Sequence, residues 1–332
     1  MTRSLPTRIV DGVLEGSIVG SFSRIGPLVR SRLTGWDDIP RMDGRTAVIT
    51  GGTSGIGAAA ARKMALLGAH VIIIGRNRKR GEELKNHLHD AIDRDCIDLI
   101  LGDLSDLESV KRIAHEIASR YRAIDVLVHN AGALLSEYTV TRQGIEMTVA
   151  VHLLAPFLLT HELLPELRAA PHPRIITVSS GGMYTQRFKV SELEMTQESY
   201  NGTVAYARAK RAQTVLNEEW QRQYGPEGFT FHAMHPGWVA TPGIETGLPL
   251  FGRIMKPVLR TPSEGADTIV WLAAGSPGSE HGGRFWCDRV PRSLYYLPGT
   301  HKGSARALLD GKTLWKWCTH RIKTSQKTSR RD

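Results

Sequence analysis

The fold of this chain is decided by the stretch Thr50-Gly51-Gly52-Thr53-Ser54-Gly55-Ile56-Gly57. A buried apolar strand, residues 46–50, precedes it, and a helical pattern, residues 55–67, follows it and stops at Gly68. Glycines at such a junction allow a tight turn, a close backbone approach to a pyrophosphate and close packing of helix on strand. Free amides at the helix start attract an anion. The stretch therefore predicts a dinucleotide-binding strand–turn–helix unit rather than a merely structural turn.

Strand and helix patterns alternate along the chain beyond this unit. The alternation predicts the α/β class, with a single Rossmann-type doubly wound domain. We expect a mainly parallel seven-stranded sheet with helices on both faces. The predicted strands are residues 46–50, 71–74, 97–101, 126–129, 174–178, 230–234 and 284–287. The predicted helices are residues 55–67, 79–92, 107–121, 144–167, 204–224 and 263–273.

Segments of different composition flank the predicted domain. We expect an N-terminal amphipathic extension at residues 1–43, the Rossmann domain at residues 44–300, and a basic C-terminal tail at residues 301–332. In the extension, apolar residues recur at threes and fours between arginines, although glycines interrupt the pattern. Two interpretations stay open: a helix packed on the domain or on a dimer partner, and an interfacial helix on anionic lipid.

The net charge of +10 is concentrated at the C-terminus. Residues 312–332 hold seven lysines or arginines and one aspartate. The body is therefore only mildly basic, and it contains no zinc finger, RNA-recognition signature or basic-aromatic platform, so we expect no nucleic-acid partner. The tail is interpreted either as a solvated, partly disordered end or, through Leu314, Trp315 and Trp317, as a membrane-surface contact.

Cysteine content and hydropathy bound the location of the protein. Cys96, Cys287 and Cys318 are odd in number and lack metal-ligand spacing, so we expect neither a disulfide framework nor a metal site. No apolar run approaches the ~18 residues of a membrane span, and the N-terminus lacks a signal-peptide core. We expect a cytoplasmic protein, with peripheral membrane association through its termini left open.

The end of the second strand indicates which dinucleotide binds. NAD-binding units usually carry an acidic side chain here for the ribose 2′-hydroxyl. This chain instead reads Gly75-Arg76-Asn77-Arg78-Lys79-Arg80. Arg76, with Ser54 and Asn77, is therefore predicted to bind the 2′-phosphate of NADP(H), because guanidinium and phosphate pair bidentately. Lys79 and Arg80 are interpreted as a solvated helix start.

A second motif, Tyr206-Ala207-Arg208-Ala209-Lys210, lies in a predicted helix. Residues four apart share a helix face, so Tyr206 and Lys210 can point into one pocket. A neighbouring cation favours the phenolate and lowers the pKa of a tyrosine from its ordinary value near 10. The pair is therefore a candidate general acid/base.

Together these motifs resemble the short-chain dehydrogenase/reductase family over residues 45–286. Within that family the chain is similar to the retinol-dehydrogenase-like branch and to the subgroup called dehydrogenase/reductase family member twelve. The similarity lies in residues 178–183, 234–238 and 283–286. The resemblance implies an NADP(H)-dependent oxidoreductase that transfers hydride between the nicotinamide and a carbonyl or alcohol carbon.

The resemblance also implies roles for individual residues. Its catalytic positions fall on Ser180, with Ser179 as the adjacent alternative, and on Tyr206 and Lys210. Its cofactor-binding positions fall on Thr50, Gly51, Ser54, Gly55, Ile56, Gly57, Arg76, Asn77, Asp103, Leu104, Asn130, Ala131, Gly132, Tyr206, Lys210, Pro236, Gly237, Val239 and Thr241.

His152 stands where the family usually has a catalytic asparagine. The asparagine acts chiefly through its main-chain carbonyl, which holds a water in a proton relay from the lysine. A histidine can preserve that role, titrate in its own right, or indicate weakened catalysis. An NADP-binding sensor or scaffold that no longer turns over therefore stays open beside the active enzyme.

The substrate and the oligomeric state are less constrained. Met183, Phe188 and residues 244–258, which include Leu248, Leu250, Phe251, Ile254 and Met255, favour a lipophilic carbonyl or alcohol. In the family, the helix that carries the tyrosine often forms dimer interfaces, so a homodimer stays open.

Overall fold

The strands of the chain are short runs rich in β-branched residues, which suit a sheet covered on both faces. The computed structural model describes residues 5–241, 249–296 and 304–328. Its strands are β1 (Thr46–Thr50), β2 (His70–Gly75), β3 (Ile97–Leu101), β4 (Val126–His129), β5 (Arg174–Val178), β6 (Thr230–Met234), β7 (Phe285–Cys287) and β8 (Val290–Arg292).

Within the described residues these strands form one eight-stranded sheet in the order β3-β2-β1-β4-β5-β6-β7-β8. All neighbouring pairs are parallel except β7 with β8. The doubly wound fold is confirmed, and the number of seven strands is wrong by one. The eighth strand has only three residues, one of them Pro291, and follows a tight turn in which Asp288 and Arg289 have positive φ. Such a segment carries no strand pattern.

Helices cover both faces of this sheet. They are α1 (Leu5–Gly16), α2 (Ile18–Phe22), α3 (Ile25–Thr34), α4 (Gly55–Leu66), α5 (Arg78–Ile92), α6 (Leu107–Arg120), α7 (Met147–Val149), α8 (Ala155–Glu162), α9 (Leu164–Arg168), α10 (Gly202–Tyr224), α11 (Pro249–Met255), α12 (Pro262–Ala274), α13 (Pro277–Glu280) and α14 (Ser304–Thr328). Alternate residues of β1 show the two layers, since Val48 belongs to the core under α6, α8 and α10, whereas Ala47 and Ile49 belong to the core under α4 and α12.

The long helix predicted at residues 144–167 is interrupted in the structure. A π-helical turn, Ala150–Leu154, separates α7 from α8, and a break at Leu163 separates α8 from α9. Pro156 and Pro165 lie at the starts of α8 and α9, where the missing N–H costs least. The π turn carries His152, so the irregular backbone coincides with a predicted site residue.

The N-terminal helices pack on the domain through charged side chains. Arg30 is 1% exposed and pairs with Asp11 at 2.8 Å, Glu15 at 2.9 Å and Asp288 at 2.5 Å. Asp288 also accepts from Arg260 at 2.6 Å. Packing of this extension on the domain is therefore observed, but its buried contacts are largely ionic, and most of its apolar residues point outward.

The C-terminal tail forms helix α14, which packs along α10. Leu314, Cys318 and Ile322 are buried in the main core, and the ring of Trp315 lies 4.4 Å from that of Trp220. The interpretation of a solvated, partly disordered end is wrong for these residues, because their apolar positions recur at helical spacing and cover α10. Trp317 also packs against this core. Residues 329–332 of the predicted tail, Arg330 and Arg331 among them, lie outside the described residues.

Removing the charge of Asp288 should destabilise the whole chain. In Asp288→Asn the amide still tolerates the positive φ, but Arg30 and Arg260 lose their shared buried carboxylate. Breaking such a buried pair costs about 3–5 kcal/mol. Chemical denaturation measures the loss, with Asp43→Asn as the control, because the Arg41–Asp43 pair is exposed and should contribute little. Equal stability of the two variants would contradict the role given to Asp288.

Candidate active site

A cleft of about 1390 Å³ lies at the carboxyl ends of the parallel strands. Ligands bind at this edge in open α/β sheets. The volume exceeds the roughly 300–1,000 Å³ of ordinary small-molecule pockets, so it has room for a dinucleotide together with a substrate. The predicted site residues that line it are Gly51, Ser54, Gly55, Ile56, Arg76, Asn77, Asp103, Leu104, Asn130, Ala131, Gly132, His152, Ser179, Ser180, Tyr206, Lys210, Pro236, Gly237, Val239 and Thr241.

The glycine loop at the start of α4 forms a cradle that larger residues would fill. Gly51 has φ +66°, and a Cβ on it would lie 3.0 Å from Ala131 Cα. A Cβ on Gly57 would lie 2.3 Å from the Gly51 carbonyl oxygen. The loop can therefore approach a ligand closely while α4 packs tightly beneath it. This arrangement fits the pyrophosphate of a dinucleotide at a helix N-terminus.

Thr50 and Gly57 were predicted as cofactor contacts but do not line the cleft. The Thr50 hydroxyl donates to the Val128 carbonyl at 3.2 Å and accepts from the Asn130 N–H at 3.0 Å. The Asn130 amide nitrogen in turn donates to the Thr50 carbonyl at 3.0 Å. Thr50 and Asn130 therefore hold the glycine loop against the loop after β4.

The rim beside β2 is basic. Arg76 is exposed, and its Nη1 lies 3.9 Å from Oδ2 of Asp103. Arg78 and Arg80 also line this part of the cleft, although Arg80 was interpreted as a solvated helix start and Arg78 was given no role. Asn77 accepts a hydrogen bond from the Arg80 N–H at 3.0 Å and so caps α5. The basic run after β2 could have indicated all three arginines as lining residues, because the first turn of α5 lies at the edge of the sheet where the cleft opens.

The structure separates the two serines that follow β5. The Ser179 hydroxyl is buried and donates to the Lys210 carbonyl at 3.0 Å. Ser180 is half-buried, and its Oγ accepts from the Gly182 N–H at 3.2 Å. A hydrogen bond from Ser180 also lowers the pKa of Tyr206. Ser180 is therefore the serine placed to reach a ligand beside Tyr206.

Tyr206 and Lys210 lie one turn apart on α10 and share the floor of the cleft. Lys210 Nζ lies 5.5 Å from the centre of the Tyr206 ring and donates to the Val178 carbonyl at 2.7 Å. Lys210 is 3% exposed, and its Nζ is held against the end of β5. The helical spacing that predicted a shared pocket is observed in the structure.

Burial opposes charge on both members of this pair. Desolvation lowers the pKa of Lys210 to about 7. Desolvation also raises the pKa of Tyr206, and the hydrogen bond with Ser180 offsets this only in part. The expected lowering of the phenol pKa by Lys210 is therefore not observed, and burial raises that pKa instead. Burial therefore favours the protonated phenol of Tyr206 at neutral pH.

His152 is a buried, neutral side chain beside Tyr206. Its ring contacts the Tyr206 ring edge-on at 5.2 Å, and its Nε2 lies 2.9 Å from the Ala133 carbonyl oxygen. Burial lowers its pKa to about 3, and the positive charge of Lys210 adds to this effect. A Cβ on Gly132 would lie 2.3 Å from its Cε1, so the imidazole uses the space that this glycine leaves. His152 therefore does not titrate near neutral pH.

The sequence patterns did not indicate Gln213, which lies on α10 and contacts the backbone of His152. Its Nε2 donates to the main-chain carbonyl of His152 at 2.7 Å, and its Oε1 is buried with no hydrogen-bond partner among the described residues. Gln213 lies three residues after Lys210, on the same side of the helix. This spacing is the only sequence signal that could have indicated it.

The loop after β6 is held by residues that the sequence did not connect with the site. Gly237 has φ +75°, and a Cβ on it would lie 2.3 Å from Nε of Arg260 and 2.5 Å from the Phe22 carbonyl oxygen. Trp238 donates to that same oxygen at 2.7 Å. Arg260 and the N-terminal helix α2 therefore fix the loop that contains Pro236 and Val239.

Among the described residues, the apolar wall of the cleft consists of other side chains than those predicted. Met183 and Phe188 are buried in the core and do not line the cleft. Leu250 and Ile254 are exposed away from it, whereas Leu248 and the side chain of Phe251 lie outside the described residues. The apolar lining near Tyr206 instead comes from Leu134, Leu135, Met147, Val151, Val204 and Trp238.

Comparison with known proteins identifies the family of this chain. The sequence profile of the short chain dehydrogenase family matches residues 45–246. Human dehydrogenase/reductase SDR family member 12 is 35% identical over 80% of this chain and 83% of its own length. Human retinol dehydrogenase 14 is 33% identical over 86% of this chain and 90% of its own length.

A solved structure with bound cofactor is also similar. It comes from Beutenbergia cavernae, is assigned to NAD(P)-dependent gluconate 5-dehydrogenases, and holds NADP at low occupancy. It is 27% identical to this chain with a TM-score of 0.62, and the match covers 75% of this chain and 96% of that one.

The contact between Gly132 and His152 predicts a compensating pair of substitutions. Gly132→Ala should destabilise the chain by about 1–3 kcal/mol, because the new methyl group overlaps the imidazole. The cost should largely disappear when Gly132→Ala is made in a His152→Ala background, where that space is open. Chemical denaturation of the two single variants and the double variant measures the coupling. Additive losses would show that the imidazole does not occupy this space.

Proposed function

We propose, from the premise that this chain belongs to the short-chain dehydrogenase/reductase family, that it is an NADP(H)-dependent oxidoreductase acting on a lipophilic carbonyl or the matching alcohol. The observation that carries the proposal is the arrangement of the cleft. Ser180, Tyr206 and Lys210 lie at one end, and the arginine rim after β2 lies at the other. The glycine cradle lies between them.

The basic rim supports NADP(H) over NAD(H). Residues 76–80, directly after β2, include no carboxylate, and an NAD-binding unit would bind the ribose 2′-hydroxyl there. Arg76 is exposed and free to turn toward a 2′-phosphate, and Arg78 and Arg80 add positive charge nearby. One Asp103 oxygen already accepts from the Ser105 hydroxyl and N–H, which leaves the other for Arg76 or for a ligand. The similar structure that holds NADP supports the same choice.

The protonation chemistry follows from the three catalytic candidates. When bound, the dinucleotide supplies or accepts hydride at its nicotinamide C4. Ser180 Oγ donates a hydrogen bond to the substrate oxygen. Tyr206 gives that oxygen its phenolic proton in reduction and takes it back in oxidation. Because burial keeps the phenol protonated at neutral pH, Tyr206 is ready to act as the acid.

Lys210 and His152 position this machinery. Lys210 would hold the nicotinamide ribose while the Val178 carbonyl fixes its ammonium. His152 would act as a neutral spacer that orients the Tyr206 ring and the loop at Ala133. Its main-chain carbonyl has two lone pairs, of which Gln213 occupies one, so the second can hold a relay water.

A lipophilic substrate is supported by the apolar wall beside Tyr206. Leu134, Leu135 and Trp238 form part of it. Among the described lining residues, the charged side chains other than Lys210 are Arg76, Arg78, Arg80 and Asp103, which follow β2 and β3. Pockets of this composition bind apolar bodies and orient them by a few polar groups. The similarity to retinol dehydrogenase 14, whose name refers to a lipophilic alcohol, supports the same class.

Replacing the candidate acid tests the reaction. Tyr206→Phe should lower turnover at least about a hundredfold, because proton transfer is lost, while NADPH binding stays largely intact. NADPH consumption across ketones, aldehydes, quinones, retinoids and steroids measures this. Tyr224→Phe is the control, since that ring lies on the same helix but packs against Trp220. Full activity in Tyr206→Phe would refute the assignment, and NADPH binding without turnover in the wild type would favour a sensor or scaffold.

Replacing Arg76 tests the cofactor. Arg76→Gln should weaken NADPH binding by about tenfold to a hundredfold, because a charge-assisted bond to the 2′-phosphate is lost. NADH binding should not change. Calorimetric titration of both dinucleotides measures the effect, with Lys79→Gln as the control because Lys79 does not line the cleft. An equal loss for both dinucleotides would contradict a role in 2′-phosphate recognition.

A further inference from the structure

The N-terminal helices show an inverted amphipathic pattern. On α1, Asp11 and Glu15 point inward to Arg30, whereas Ile9 and Val13 lie on the opposite face and are 59% and 71% exposed. Residues two apart on a helix lie on opposite sides, so this division follows from the spacing. The two carboxylates therefore hold α1 on the domain through Arg30, and the apolar side chains on the opposite side of α1 face outward.

Apolar side chains are also exposed on α2, α3 and α11. Exposed apolar side chains of these helices are Ile9, Val10, Val13, Ile18, Val19, Ile25, Leu28, Leu33, Leu250 and Ile254, which we call the apolar face. The Arg24 N–H donates to the Val258 carbonyl at 3.0 Å, so the segment after α11 contacts the turn between α2 and α3. Exposed apolar patches of this kind on soluble domains mark interaction sites.

Most of the charged side chains around the apolar face are basic, although Arg24 pairs with Glu264 at 3.6 Å and Asp37 and Asp38 are exposed after α3. Arg8, Arg24 and Arg32 are exposed on the N-terminal helices, and Arg253 and Lys256 are exposed at α11. Within residues 5–36 the carboxylates are Asp11 and Glu15, both turned toward Arg30. An apolar surface ringed by cations complements an anionic lipid headgroup layer with acyl chains beneath it.

We propose that the apolar face docks this protein onto the surface of a bilayer that contains anionic phospholipid. The helices would lie in the interface with their apolar side chains among the acyl chains and their arginines at the headgroups. None of the described helices has the length and hydropathy needed to cross a bilayer. The buried Arg30 cluster would keep the helices on the domain while their outer sides bind lipid.

Docking would place the cleft close to the lipid. Phe22 of α2 contacts the ring of Trp238 at 5.7 Å, and its carbonyl accepts from the Trp238 N–H. Trp238 belongs to the apolar lining of the cleft. The apolar face and the substrate end of the cleft are therefore joined through one helix. The membrane proposal itself does not depend on the proposed activity.

Vesicle flotation of the full chain tests the proposal. We expect flotation with vesicles of phosphatidylcholine and phosphatidylglycerol in equal amounts, and weaker flotation with phosphatidylcholine alone. Ile9→Gln with Val13→Gln and Leu28→Gln should lower binding at least about tenfold, because apolar side chains no longer enter the acyl region. Arg8→Gln with Arg32→Gln and Arg253→Gln should lower binding to the anionic vesicles about a hundredfold and leave binding to neutral vesicles unchanged.

A matched control separates this effect from a general loss of surface hydrophobicity. Leu66→Gln, Val140→Gln and Leu309→Gln together replace exposed apolar residues outside the apolar face and should bind as the wild type does. Thermal unfolding should show that every variant is folded. Absence of flotation by the wild type, or equal flotation of the Ile9 variant and the control, would overturn the proposal. So would a wild-type dimer in sedimentation that the Ile9 variant dissociates while no vesicles are bound.

Discussion

The buried carboxylate of Asp288 is the interaction on which the organisation around the cleft depends. It binds Arg30, 258 positions earlier in the chain, and Arg260, 28 positions earlier. Arg260 in turn fixes the loop after β6, and Arg30 fixes the N-terminal helices. An unpaired buried charge is costly. Displacing any one of the segments that carry Arg30, Arg260 and Asp288 would therefore leave the others with an unpaired buried charge. The N-terminal extension therefore supports, from behind, the loop after β6 that forms part of the wall of the site.

The same low-dielectric interior sets the chemistry of the cleft. Burial holds His152 neutral, lowers the pKa of Lys210 and raises that of Tyr206. A phenol that stays protonated suits a proton donor in carbonyl reduction. The outer side of α10 is covered by α14 through Leu314 and Trp315, so the helix that carries Tyr206 is packed on both sides. The catalytic candidates thus lie on a rigid element, as precise positioning requires.

Much of this could be predicted from sequence because it depends on local signals. The glycine loop, the strand pattern and the four-residue spacing of Tyr206 and Lys210 each follow from short-range geometry. The contacts of Arg30 with Asp288, of Phe22 with the β6 loop and of Gln213 with the His152 carbonyl join distant segments and leave no local pattern. The packing of the tail is hard to predict for a different reason, since its many basic residues obscure an apolar stripe on Leu314, Cys318 and Ile322.

The central claim is that this cleft transfers hydride from NADPH to a carbonyl at Tyr206. Its most direct test uses NADPH with deuterium in place of both hydrogens on the nicotinamide C4, with mass spectrometry of the product alcohol. The account predicts deuterium on the former carbonyl carbon of a lipophilic product. Unlabelled product, or no product from any carbonyl class despite measurable NADPH binding, would contradict it.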